Sequence, residues 1–88
     1  MKLIIAIVRD ELHEPVSHAL TTGEFRVTYV ASTGGFLRRG STTLLIGVKD
    51  ERVEQALEII RANCPPATDS KEKNATIFVV NVDQYTQI

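Results

Sequence analysis

The four residues Val8-Arg9-Asp10-Glu11 return, conservatively changed, as Val48-Lys49-Asp50-Glu51. Each set closes an apolar, β-branched run and opens a stretch with apolar residues at helical spacing. A strand-to-helix corner that occurs twice marks two βαβ units in one chain. That repeat restricts the fold more than any other feature, because the connections between such units have a fixed hand.

The first unit begins with Leu3 to Val8, a continuous apolar run that reads as a strand buried on both faces. Leu12, Val16, Ala19 and Leu20 then recur at helical spacing, with Asp10 as the expected N-cap. Pro15 fits a helix only near its first turn, which predicts a late or irregular start. Gly23 suits the C-terminal cap. From Glu24 to Ser32 the pattern alternates: Phe25, Val27, Tyr29 and Ala31 share one strand face, and Arg26, Thr28, Val30 and Ser32 the other. Thr42 to Lys49 is the third strand, and Asp50 repeats the N-cap signal. Val53, Ala56, Leu57 and Ile60 make a second amphipathic helix ending near Asn63, since Pro65-Pro66 cannot continue it. Thr68 to Asn74 reads as a polar loop and Thr76 to Val82 as the last strand.

The order is β-α-β-β-α-β. Right-handed crossovers fold it into an α+β, ferredoxin-like domain with an antiparallel four-stranded sheet and both helices on one face. The opposite face needs cover, and the sequence has no third layer to provide it. A second subunit is therefore expected there. With 88 residues, the single domain 1–88 buries only about 60–65 % of its unfolded surface, although 43 % of its residues are hydrophobic.

A formal net charge of −1 gives no global attraction to nucleic acid or to an anionic membrane. The Leu3–Val8 run is too short for a membrane span or a signal segment, and Arg9 and Asp10 end it. A lone cysteine, Cys64, excludes an intramolecular disulfide and makes a reducing cytoplasm the simplest compartment.

The chemistry concentrates between the second and third strands. Residues 31–43 hold three glycines, five hydroxyl side chains, Phe36 and the pair Arg38-Arg39. Glycine admits a ligand close to the backbone, successive N–H groups can form an anion nest, and Phe36 offers a flat apolar face. A phosphate-plus-base ligand suits that inventory. The stretch from Gly35 to Thr42 nearly spells a phosphate-binding P-loop, but Ser41 stands where lysine should be and a strand follows instead of a helix. Arg26 and Thr28 on the second strand, with Gly47 on the third, could form a polar wall beside the loop; a solvated sheet face is the plain alternative. His13 and His18 lie five residues apart, which does not put two metal ligands on one helical face. Cys64 has no activating partner, and no nucleophile–base–orienter set is visible. Binding fits these residues better than catalysis, and no cofactor or metal is expected.

Taken in order, several segments resemble the PII-like cyclic di-AMP receptors of bacteria, the PstA-like or DarA-like family. They are Met1 to Val8, Phe25-Arg26, Thr33-Gly34-Gly35-Phe36-Leu37, Gly40-Ser41-Thr42-Thr43, Gly47-Val48, Asp50 to Val53, Cys64 and Val82 to Gln87. The resemblance implies a ferredoxin-like homotrimer that holds cyclic di-AMP, chemically unaltered, at its subunit interfaces and passes a signal to a downstream protein. The ligand contacts it implies are Arg26, Thr28, Gly35, Phe36, Leu37, Ser41, Gly47 and Gln87. Three features depart from the family. Glu24 and Ser41 each stand where asparagine is usual, and the segment from Pro65 to Asn74 is shorter than the family's signalling loop. They motivate an alternative reading, a trimeric interaction module that has lost nucleotide binding. An acylphosphatase-like hydrolase on the same fold would need a catalytic loop that this sequence does not show.

Overall fold

In the computed structural model, which describes residues 1–30, 40–65 and 74–88, the two repeated corners have nearly the same backbone. Arg9 is extended at φ −63°, ψ 146° and Lys49 at φ −70°, ψ 149°, each just before its helical segment. The elements are β1 (Lys2–Arg9), α1 (Asp10–Thr22), β2 (Val27–Val30), β3 (Ser41–Val48), a 3₁₀ turn (Asp50–Arg52), α2 (Val53–Ala62) and β4 (Ala75–Asn81). The strands form one antiparallel sheet in the order β2-β3-β1-β4. The β1–α1–β2 connection therefore passes over β3 and the β3–α2–β4 connection over β1, which is the ferredoxin-like α+β arrangement expected from the sequence.

The two aspartates do not cap by side chain as expected. Asp10 is the first residue of α1, and Asp50 opens the 3₁₀ turn that precedes α2. Each instead reaches the start of the neighbouring strand. Asp10 donates its N–H to the Gly40 carbonyl at 2.8 Å and accepts the Thr42 hydroxyl at 2.6 Å. Asp50 accepts the Met1 ammonium at 3.0 Å. The carboxylates still lie where a helical N-terminus favours negative charge.

α1 also starts earlier than Pro15 suggested, and the proline sits inside it. Proline removes the N–H that would bond the carbonyl of Glu11. Both residues are exposed, so water can satisfy that carbonyl.

The far end of α1 differs in a more consequential way. Gly23 ends the helix, but at an ordinary φ of −79°. The left-handed residue is Glu24, at φ 68°. Phe25 donates its N–H to the Leu20 carbonyl at 2.9 Å, and Glu24 donates to that of Thr21 at 3.0 Å. This is the two-bond Schellman closure, with glutamate in the place that glycine or asparagine usually takes. Gly23 has another task. A Cβ there would stand 3.0 Å from Ile59 Cδ1, so its bareness lets α2 pack close.

The core lies between the helices and one sheet face: Ile4, Ala6, Val8, Leu44 and Ile46 from β1 and β3, with Val16, Leu20, Phe25, Ala56 and Ile60. β1 is thus fully buried on one side only. Its other face, with Leu3, Ile5 and Ile7, continues through the register into Leu45 on β3 and Phe78 and Val80 on β4. Phe78 is 53 % exposed and Val80 42 %. Among the described residues, the sheet therefore has one finished face and one open apolar face.

Candidate functional site

The open face carries a cavity of about 410 Å³. Leu3, Leu45 and Gly47 belong to the β1 and β3 strands beneath it, Arg26 and Thr28 come from the β2 side, and Met1, Val82 and Tyr85 complete its lining. The alternation of β2 explains why Arg26 and Thr28 reach it together. Thr28 pairs with Leu45, and Arg26 stands one residue before the Val27–Ile46 pair, beside Gly47. Gly47 matters because it has no side chain. Among the described residues, a Cβ there would meet only the terminal Cε of Met1, at 3.0 Å.

A second cleft, of about 260 Å³, shares Arg26 and Gly47 with the first and adds Glu24, Phe25, Val48, Lys49 and Arg52. Arg52 is committed to the architecture. Its Nη2 donates to the Gly23 carbonyl at 2.9 Å, and its guanidinium carbon lies 4.0 Å from the centre of the Phe25 ring. A cation at the carboxyl end of α1 and over an aromatic face is favourable on both counts. Arg26 and Lys49 are exposed. Glu24 adds an acidic residue to the lining of this otherwise cationic cleft.

Of the residues singled out in the sequence, Arg26, Thr28 and Gly47 come together in one cavity. Gly35, Phe36 and Leu37 lie outside the described residues. Ser41 is buried at the start of β3, opposite Arg9, and Gln87 is exposed; neither lines these two clefts. Leu45 shares the face of Gly47, as strand alternation predicts, whereas Met1, Leu3, Val82 and Tyr85 were not anticipated. Leu3 could have been found by pairing β1 with β3 in register. Met1 and Tyr85 carry no such signal.

The titratable groups that shift do so for simple causes. The hydrogen bond from the Met1 ammonium, and then its charge, push the Asp50 carboxyl below the ordinary range. Burial pushes the Cys64 thiol up, consistent with its packing against the core. His13 stacks on Tyr29 with ring centres 4.5 Å apart. Among the described residues, no helix is long and apolar enough to cross a membrane.

The sequence pattern that defines the cyclic-di-AMP receptors matches residues 1–71. The chain belongs to the cyclic-di-AMP receptor family. A solved structure, that of a functionally unknown protein from Pediococcus pentosaceus ATCC 25745, superposes with a TM-score of 0.82 at 35 % sequence identity. The match covers 99 % of this chain and 96 % of that one. The receptor family is a signalling and binding family, and the PII-like fold agrees with it.

Proposed function

We propose that the chain is a cytoplasmic PII-like signal-transduction protein that binds cyclic di-AMP, or a related adenine nucleotide, at the interfaces of a homotrimer and leaves it chemically unchanged. One observation carries the reading beyond family membership: Arg26, Thr28 and Gly47 line one cavity on the uncovered sheet face. A guanidinium suits a phosphodiester, an apolar floor suits a base, and a bare glycine permits close approach. The apolar surface around the cavity calls for a second copy of the chain, which would bury Phe78 and Val80 and bring further groups to the ligand. Ligand binding would bias a loop or an exposed surface that a downstream protein reads.

Isothermal titration calorimetry with cyclic di-AMP tests this, with cyclic di-GMP, ATP and AMP as comparators. Saturable, selective binding near one ligand per subunit is expected. Arg26→Ala should weaken it about 10-fold or more, the usual scale for losing a charged hydrogen-bonding group. The second reading, an interaction module without nucleotide, draws on the Glu24 carboxylate lining the same cleft as Arg26. A folded trimer that takes up no nucleotide at two temperatures would establish that reading instead.

A further inference from the structure

We infer that Tyr85 is a base-stacking wall of the cavity and contributes directly to nucleotide affinity; this rests on the receptor reading above. The chain leaves β4 in register with β1, where Val82 donates its N–H to the Met1 carbonyl at 3.2 Å, one pair beyond Lys2–Asn81. That bond fixes the start of the segment at the rim of the cavity. Three residues on, Tyr85 lines the same cavity while remaining 57 % exposed. A large aromatic ring left that open beside Leu3 and Leu45 has apolar surface available to a flat ligand. The cavity also receives Arg26, so one pocket offers an aromatic face, an apolar floor and a cation. A purine joined to a phosphodiester presents the complementary parts. Stacking tolerates any purine, so Tyr85 would add affinity, and discrimination between bases would come from the polar groups of β2.

Three variants test this against cyclic di-AMP. In Tyr29→Phe, Tyr85 is the only tyrosine of a chain without tryptophan. Its emission should then fall on titration, after correction for ligand absorbance. Tyr85→Phe keeps the ring and should stay within about 2-fold of the parent affinity, whereas Tyr85→Ala should lose roughly 10-fold or more. Circular dichroism separates lost binding from lost structure, and the emission of Tyr29→Phe gives the answer even where Tyr85→Ala fails to fold. If the parent binds cyclic di-AMP but the emission is unchanged, or Tyr85→Phe weakens binding as much as Tyr85→Ala, the stacking role is overturned while the receptor reading stands. If the parent binds no nucleotide, both fall together.

Discussion

The two faces of the sheet are built from alternate residues of the same strands, yet they have opposite fates. On one face Ile4, Ala6, Val8, Leu44 and Ile46 are closed off by the chain's own helices. On the other, Leu3, Ile5, Leu45, Phe78 and Val80 form an apolar surface that neither helix covers. The finished face accounts for stability. The open face holds the cavity, and the proposed function lies where the chain leaves its own core incomplete.

The sharpest way to break this comparison is to truncate neighbouring leucines on β3. Leu44 is fully buried beneath the helices, whereas Leu45 points to the open face. Leu44→Ala should cost about 2–5 kcal/mol, the range for leucine truncation in a packed core. Leu45→Ala should cost roughly half as much or less in the isolated chain, because less surface is returned to water. Its larger effect should be on cyclic di-AMP affinity. Urea denaturation of both variants decides the matter, and equal destabilisation would mean that the two faces are closed alike.

That division was partly legible in the sequence. The repeated Val-basic-Asp-Glu corners announced the two units, and both corners have nearly the same dihedral angles. Alternation along β2 placed Arg26 and Thr28 on one face, as the cavity lining shows. Continuous apolar runs misled where alternation would have helped. Leu3 to Val8 reads as buried on both sides because an unbroken apolar run does not tell which of its faces the chain's own helices cover. Tyr85 and Met1 were illegible for a different reason. Their position depends on where the chain turns after β4, and no local pattern encodes that. Glu24 was noticed as a departure from the family, but its backbone was not foreseen, since glutamate ordinarily avoids the left-handed region.

Glu24 joins the two faces, because it closes α1 on the core side and lines a cleft beside Arg26. A side chain at φ 68° is disfavoured by about 1–2 kcal/mol relative to glycine. Glu24→Gly should therefore stabilise the domain by about 1 kcal/mol, raising its melting temperature by about 4–8 °C. Glu24→Asn should gain part of that, because asparagine tolerates the same backbone region. Both variants also remove a negative charge from the cleft, so cyclic di-AMP should bind them more tightly than the parent. Higher stability with unchanged affinity would confine Glu24 to the helix end and separate the cleft from the ligand site.

The smallest expected effect concerns the rim of the open face. The Met1 ammonium binds Asp50, the Met1 carbonyl accepts the Val82 N–H, and Met1 itself lines the cavity. The Asp50 carboxyl titrates below its ordinary value when folded, so its contribution to stability is present above the unfolded value of about 4 and disappears as pH falls through the lower folded value. Glu11 is also lowered, by its own backbone N–H and then by Arg9, and loses its contribution in the same acid range. Comparing the parent with Asp50→Asn isolates the first group. The variant should melt slightly below the parent at pH 6, and the gap should close toward pH 2. Because the pair is exposed, added salt should narrow it further. A gap that persists unchanged at pH 2 would assign the loss to packing around the 3₁₀ turn. The Met1–Asp50 ion pair would then have no part in holding the rim.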